Sequence, residues 1–264
     1  LVLFRFSLMG LALFFAAYQH DLIARPDWAG IVESFRPYMA VALPGIATQM
    51  ATPAGNYFLT IVMARFGDDA VAAWAVVGRL TVLAFGGIFA LSGAIGGIFG
   101  QNLGAGQYGR LRTTYRDALI FCAIYTVVTW GVLLAATPLV IEAFALTGQG
   151  AEVLRAFTFV GTGAFIFLGG MFVSTAAFNN LGRPGRSTLL GWIKDGVLSW
   201  PLAALLAASF GATGVIYGQA AAGALMGALA ALWGWRYVAS LGPEMDVSPP
   251  PPRPWPNADR YRSR

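Results

Sequence analysis

Residues 37–66, PYMAVALPGIATQMATPAGNYFLTIVMARF, form the apolar run that decides the fold. A bilayer crossing needs ~20 predominantly apolar residues, so this run is long enough to span a membrane. It nevertheless carries a polar side chain at every fourth position, which places four of them on one helix face: Thr48, Thr52, Asn56 and Thr60. Polar groups at membrane depth face protein or a water-filled cavity, so this helix is not expected to face lipid alone.

Two prolines inside the same run, Pro44 and Pro53, are predicted to act as hinges. Each proline removes a backbone N–H donor, and Pro53 leaves the carbonyl of Gln49 without its usual helical partner. Two interpretations stay open from these residues. The helix is either a kinked span whose hydroxyls bond to its own backbone and to neighbouring helices, or a helix that lines a transport path.

The composition is that of a chain that crosses a membrane several times. Of the 264 residues, 57% are hydrophobic and 11% are charged, whereas soluble domains carry about 25% charged residues. Segments of spanning length lie at roughly 37–66, 70–100, 117–137, 153–180, 187–208 and 212–236. The predicted fold class is therefore all-α, a polytopic membrane protein with a six-helix transmembrane bundle and a partial preceding helix.

Four regions follow from this pattern. Residues 1–19 are predicted to be a partial transmembrane helix, and residues 20–36 a cytoplasmic connector. Residues 37–236 form the six-helix lobe. The polar residues 237–264, with the proline-rich stretch SPPPPRPWP, are predicted to be a disordered cytoplasmic tail, because such a composition cannot bury a core.

The basic side chains predict how the lobe lies in the membrane. They concentrate in the connector, in the 101–117 loop, in the 181–195 region and in the tail, whereas the opposite loops hold Arg65 and Arg155 beside acids. The positive-inside rule then places both ends of the six-helix lobe in the cytoplasm. A multi-pass protein of the plasma membrane, in bacteria the inner membrane, is expected.

Enzymatic and nucleic-acid functions find no site in the sequence. One histidine and one cysteine allow neither a Ser-His-Asp triad nor a metal site of His and Cys ligands. Gly104, Gly106 and Gly109 spell G-x-G-x-x-G, but an apolar span precedes them where a dinucleotide site requires a strand. The net charge of +5 is explained by the arginine distribution. No enzyme activity, cofactor, metal site or nucleic-acid partner is predicted.

Charges and glycines inside the spans give two further expectations. Arg79 lies about nine residues into the second span, where an unpaired charge costs on the order of several kcal/mol, so it is the candidate buried charge. Asp195, like Asp117 and Glu142, is interpreted as lying near the end of a span, and no mid-span carboxylate is expected. Glycines of the second span form GxxxG pairs, predicted to allow close approach of two helix backbones: Gly93 with Gly97 and Gly96 with Gly100.

Four stretches carry a family resemblance: LPGIATQMATPAG at 43–55, GDDAVAAWAVVGRL at 67–80, GQNLGAGQYGRLR at 100–112 and AFNNLGRPGRS at 177–187. Together they resemble the second half of a multidrug and toxic compound extrusion (MATE) transporter. The resemblance covers residues 37–236. It implies one lobe of a twelve-helix, two-lobe transporter whose central cleft alternates between the two sides. It also implies a missing first lobe, of which residues 1–19 are the remnant.

The resemblance bears on the coupling ion as well. One sodium-coupled branch of the family carries a carboxylate in the helix similar to 37–66 and another in the helix similar to 153–180. This sequence has no Asp or Glu in 37–66 or in 153–194. The resemblance thus implies the other branch, whose coupling carboxylates lie in the first lobe.

The predicted function is a secondary antiporter half that exports organic cations or drugs in exchange for protons or sodium. Uncharged polar groups and aromatic rings suit large amphiphilic cations, because rings attract a cation without a buried counter-charge. The predicted cleft residues come from the first and fourth spans: Thr48, Gln49, Thr52, Asn56, Tyr57, Ser174, Asn179 and Asn180. The expected partners are the organic cation, the coupling ion, the lipid bilayer and the missing N-terminal lobe.

Two alternatives stay open. A lipid-linked saccharide flippase of related architecture would need several inward Arg or Lys side chains to hold a pyrophosphate, and in this sequence Arg79 is the candidate for that role. A non-transporting membrane scaffold would use the proline-rich tail to bind partners.

Overall fold

The computed structural model describes residues 2–18 and 28–242. These residues are helical, with two π-helical turns and short connections between helices. Most of the predicted connector, 19–27, and the tail from 243 onward lie outside the described residues. The chain divides into two compact units, Leu1–Ile46 and Ala47–Arg264.

The first four helices are uninterrupted: α1 Val2–Tyr18, α2 Trp28–Ala64, α3 Asp68–Gly104 and α4 Tyr108–Ala143. The next span is composite. Helix α5, Gly148–Ala156, continues into a π-helical turn, Phe157–Gly161, and is followed by α6, Phe165–Asn180.

The following span is composite as well, with α7 Pro184–Gly191, a π-helical turn Trp192–Leu198 and α8 Ser199–Phe210. Helix α9, Ala212–Ser240, ends the described part of the chain.

Four of these segments are long and apolar enough to cross a membrane: α3, α4, the α7–α8 span and α9. The bent pair Gly148–Gly161 and Phe165–Asn180, with an angle of 63°, makes a fifth. Helix α2 covers the first predicted span but is not among them, because its glutamine, asparagine and threonines lower its hydropathy. The prediction of an all-α, polytopic membrane protein is confirmed.

Helix α9 is the element against which α6 and α8 pack most closely. A Cβ added at Gly227 would lie 2.2 Å from the carbonyl oxygen of Phe167, near the start of α6. A Cβ added at Gly218 would lie 2.4 Å from the Cα of Ala203 in α8. Glycine at these two positions allows the helix backbones to touch, as small residues do in membrane helix pairs.

Two contacts at the end of α9 show which helix ends share one side of the lobe. The Arg112 guanidinium, near the start of α4, donates hydrogen bonds of 3.0 and 3.1 Å to the carbonyls of Ala239 and Leu241. The Tyr237 hydroxyl donates to the carbonyl of Leu181, directly after α6, at 2.6 Å. The start of α4 and the ends of α6 and α9 therefore lie together.

Candidate functional site

Helix α2 has a packed face and an exposed face along its second half. Ala51 and Leu59 are buried, and Gly55 between them is buried as well, which gives a stripe with a four-residue repeat. Gln49 and Tyr57 are exposed on another side of the helix, Tyr57 to 66%. The polar stripe of Thr52, Asn56 and Thr60 follows the packed stripe by one residue and so lies along its edge.

Thr60, the last residue of the stripe, packs against a neighbouring helix. Its hydroxyl accepts a hydrogen bond from the Trp74 indole N–H of α3 at 3.1 Å. The same hydroxyl donates to the carbonyl of Asn56 at 2.8 Å. For this residue the structure supports the first of the two interpretations, in which hydroxyls join α2 to its own backbone and to a neighbour. The Asn56 side chain is exposed.

Thr52, two turns earlier, contacts a charged pair. Its hydroxyl donates a 3.0 Å hydrogen bond to Oδ2 of Asp195. The other oxygen of that carboxylate, Oδ1, is paired with the Lys194 ammonium. Asp195 is only 7% exposed. The polar stripe of α2 is thus hydrogen-bonded to a buried carboxylate of the α7–α8 span.

Asp195 corrects an expectation from the sequence. It had been interpreted as lying near the end of a span, but it follows Pro184 by eleven residues and precedes Phe210 by fifteen, so it lies in the middle of the α7–α8 span. At 1.5 Å per residue the two ends of the span are about 17 and 22 Å away. The signal that could have identified it is a Lys-Asp dipeptide inside an apolar run.

The backbone around Asp195 is irregular and closely packed. The residues Trp192–Leu198 form a π-helical turn. This geometry is rare in proteins overall, and where it occurs it is often at a functional site. A Cβ added at Gly55 of α2 would lie 2.8 Å from both the Cβ and the carbonyl oxygen of Asp195. The Trp192 indole N–H donates to the carbonyl of Ala47 in α2 at 2.9 Å. The two spans therefore meet almost backbone to backbone beside the carboxylate.

Comparison with known families identifies the lobe. The family model described as MatE matches residues 44–205, more than half of the chain. The chain belongs to the MATE family. This result confirms the resemblance seen in the sequence. The MATE family is a class of multi-pass membrane transporters that are not enzymes.

Solved MATE transporters share the fold. The chain is 20% identical to a mutant of the Vibrio cholerae MATE transporter VcmN, with a TM-score of 0.76 over 88% of this chain and 54% of that chain. It is 19% identical to a MATE structure in the bent conformation, with a TM-score of 0.75 over 89% of this chain and 54% of that chain. The chain thus spans about half the length of these transporters.

One curated relative matches a shorter stretch. It is described as an uncharacterized 21 kDa protein in the iaaL 5' region of Pseudomonas savastanoi and is 43% identical over 70 residues. That match covers 26% of this chain and 23% of the relative.

In the MATE lobe, Ser174 lies in the interior and not on a cleft surface. It is fully buried, and its hydroxyl is 2.7 Å from the Tyr115 hydroxyl of α4. The hydroxyl is also within hydrogen-bond distance of the carbonyls of Gly170 and Ala230, at 2.6 and 2.8 Å. Its hydroxyl therefore has hydrogen-bond partners in α4, α6 and α9. Because it is buried among these helices, it does not face a surface where a substrate could contact it.

Asn179 and Asn180 are exposed at the very end of α6. The Asn180 amide donates to the carbonyl of Ala176 at 2.8 Å. A Cβ added at Gly96 of α3 would lie 2.6 Å from the same amide nitrogen, so this side chain also covers α3. In the described residues no hydrogen bond joins these two asparagines to the polar side chains of α2.

The remaining predicted residues of this MATE chain are placed as follows. Arg79 is exposed on α3, and its role as the candidate buried charge remains a prediction. Helix α2 is one continuous helix across both prolines, and Pro53 is exposed. The side chains of Pro44 and Thr48 lie outside the described part of the chain. The hinge remains a prediction.

Proposed function

We propose that this MATE chain forms one lobe of a secondary antiporter that exports organic cations in exchange for an ion by alternating access. The observation that supports it most is the exposed face of α2, with Gln49, Asn56 and Tyr57. These side chains offer two amides and a ring, and none of them carries a charge. In a family of membrane transporters, such a surface suits an amphiphilic cation.

The aromatic side of this face extends along α2 and onto α8. The rings of Tyr57 and Phe58 lie 5.9 Å apart in an edge-to-face arrangement, and the Phe58 and Trp200 rings lie 6.1 Å apart. A ring face attracts a cation by about 0.5–2 kcal/mol, more when water is excluded. We propose that Tyr57 provides this attraction, and that Gln49 and Asn56 orient the cation through their amide groups.

The proposed transport path is completed by a second lobe that faces this one. The chain spans about half the length of the solved MATE transporters, and the exposed α2 face would then be one wall of the cleft. We further propose that the protein lies in the plasma membrane, with both ends of the lobe in the cytoplasm. The flippase alternative is less supported, because the Lys194 charge is paired with Asp195 and not free to hold a phosphate.

The double variant Gln49→Leu plus Asn56→Leu tests this assignment in the full-length protein. Each lost amide removes about 1 kcal/mol of hydrogen bonding, about 2 kcal/mol for the pair, so we expect extrusion of a fluorescent organic cation such as ethidium to need about thirtyfold more substrate for the same rate. Efflux is measured from cells with equal amounts of protein in the membrane. The matched control is Gln107→Leu in the α3–α4 connection, where efflux is expected to match wild type. Unchanged efflux in the double variant would contradict the cleft assignment.

A further inference from the structure

A buried carboxylate and a partly buried ammonium lie side by side in the middle of the α7–α8 span. The side chains of Asp195 and Lys194 are 10% and 15% exposed. Charged side chains at membrane depth are expensive, and those that are retained mark ion and proton pathways. Replacing such a pair by apolar residues is often neutral or stabilising, so its presence is weak grounds for a purely structural role.

The pair is tied to the helix on which the transport proposal rests. Lys194 is paired with Oδ1 of Asp195, and Thr52 of α2 donates to Oδ2. Both oxygens of the carboxylate are therefore engaged as long as it is ionised. Thr52 lies one turn before Asn56 on the polar stripe. A change in the charge of the carboxylate therefore alters a hydrogen bond of the helix that carries the exposed polar face.

The junction around the pair is held by few large side chains. Gly55 abuts the backbone of Asp195, and a Cβ added at Gly191 would meet the Ala51 Cβ at 3.6 Å. Small residues on both sides let the two helix backbones approach closely. The hydrogen bond from Thr52 and the one from the Trp192 indole to Ala47 are the polar links across this junction among the described residues.

A further polar group on the same span, four residues after Asp195, has no partner within the described residues. The Ser199 hydroxyl is buried, at 1% exposure, and forms no hydrogen bond there. Ser199 follows Asp195 by four residues, and its N–H bonds to the carbonyl of Lys194 in the π-helical turn. Four residues are about one turn, so the hydroxyl lies on the same side of the span.

We propose that Asp195 is the site in this lobe that binds and releases the coupling proton, and that its protonation loosens α2 from the α7–α8 span. This inference rests on the proposed antiport function. Within the described residues, the charged group facing Asp195 is the Lys194 ammonium, and the polar group from the neighbouring helix is the Thr52 hydroxyl.

The chemistry is a reversible proton transfer from water to the carboxylate. One proton converts the Asp195 carboxylate to a carboxylic acid, and the net charge of the pair rises from zero to plus one. The ammonium of Lys194 then lacks its counter-charge, which is unfavourable in an apolar surrounding. Opening the junction to water relieves this, so proton binding favours the state with α2 moved away. Release of the proton to water restores the ion pair and the closed junction.

The charge of Lys194 also decides between a proton and a metal cation. An ammonium beside the carboxylate repels a second cation at that position. A sodium ion would have to displace Lys194 and find further oxygen ligands, whereas a proton needs only one carboxylate oxygen. The pair therefore fits a proton better than a metal ion.

The test uses the full-length protein in liposomes and two assays of a fluorescent organic cation. One follows uptake driven by a proton gradient, and the other follows exchange of labelled for unlabelled cation without any gradient. We expect Asp195→Asn to reduce gradient-driven uptake to the level of protein-free liposomes and to retain exchange. The matched control Asp117→Asn, on an exposed acid paired with Arg116 at the surface, is expected to retain both.

A second variant excludes a folding defect. Lys194→Gln combined with Asp195→Asn removes both charges at similar volume and leaves no unpaired ammonium, so it is expected to fold and to behave like Asp195→Asn. Gradient-driven uptake at the wild-type level in either variant would overturn the proposal. So would loss of exchange in the folded double variant, or wild-type uptake driven by sodium and not by protons. Wild-type protein that shows neither uptake nor exchange would refute the antiport function itself.

Discussion

Arg186 shows how one side chain in the first turn of a helix contacts two other helices. Its guanidinium carbon lies 5.4, 5.2 and 4.6 Å from the ring centroids of Phe178, Trp233 and Tyr237. These rings belong to α6 and α9, and Arg186 belongs to the first turn of α7. The sequence identified this residue only as one of several positive charges at the membrane edge. In the structure it is also part of the packing.

Replacing Arg186 by methionine is expected to destabilise the lobe by about 1–2 kcal/mol, because the apolar volume is kept and the attraction between cation and rings is lost. Lysine in its place should recover only part of the loss, since its ammonium does not stack on a ring as a planar guanidinium does. Thermal unfolding in detergent, followed by tryptophan fluorescence, measures the difference. Arg183→Met, at an exposed position of the same loop, is the control. Equal stability of the Arg186→Met variant and wild type would show that the stacking contributes nothing.

At the scale of elements, α9 depends on glycine where it crosses α6. Gly227 faces the carbonyl oxygen of Phe167, which a Cβ would approach to 2.2 Å. Gly223, one turn earlier on the same helix, faces Leu168, whose Cδ1 would be 3.8 Å from an added Cβ. The two glycines are both buried and lie on the same helix, but they differ in the free space available for an added Cβ.

Gly227→Ala is therefore expected to push α9 away from α6 and to lower the free energy of unfolding by about 1–3 kcal/mol. Gly223→Ala fits in ordinary contact and should leave the stability unchanged or raise it by up to about 1 kcal/mol, because alanine is the better helix former. Both variants are compared with wild type by thermal unfolding in detergent. A Gly227→Ala protein as stable as Gly223→Ala would contradict the close crossing of the two backbones.

The positions of the helices could be predicted from the sequence, whereas most of the contacts between them could not. Hydropathy located the spans, because burial in lipid requires long apolar runs whatever the partners are. The GxxxG pairs show the limit of pattern alone: among the described residues, an added Cβ at Gly93, Gly97 or Gly100 meets nothing within 4 Å, and one at Gly96 meets Asn180. A pattern indicates that close approach is possible, but the partner helix decides where it happens.

The same limit explains which site residues were missed. Ser174 was expected on a cleft surface, because the sequence shows a polar residue in a span but not which neighbours surround it. Asp195 was assigned to a span end, because the limits of that span depend on the turn at Pro184 and on the π-helical segment. The polar stripe of α2 was recognised, whereas its division into packed and exposed members, Thr60 and Asn56, required the neighbouring Trp74.

For the whole molecule, charge separates the two ends of the lobe. Arg110, Arg112 and Arg116 lie in the first turns of α4, and Arg183 and Arg186 lie at the α6–α7 connection. The hydrogen bonds of Arg112 and Tyr237 place these regions at one end. The other end holds two arginines, Arg65 and Arg155, beside four acids at the start of α3, the end of α4 and in α5: Asp68, Asp69, Glu142 and Glu152.

This separation predicts which end faces the cytoplasm. Arginines near short loops are retained on the cytoplasmic side, so the end with the α3–α4 connection is expected inside and the end with the α4–α5 connection outside. Cysteines introduced at Gln107 and at Thr147, both exposed, are treated in intact cells with a maleimide that does not cross the membrane. Thr147→Cys should be labelled in intact cells, and Gln107→Cys only after the membrane is opened. Native Cys122 is buried and should stay unlabelled in both conditions. Labelling of Gln107→Cys in intact cells would show that the lobe has the reverse orientation.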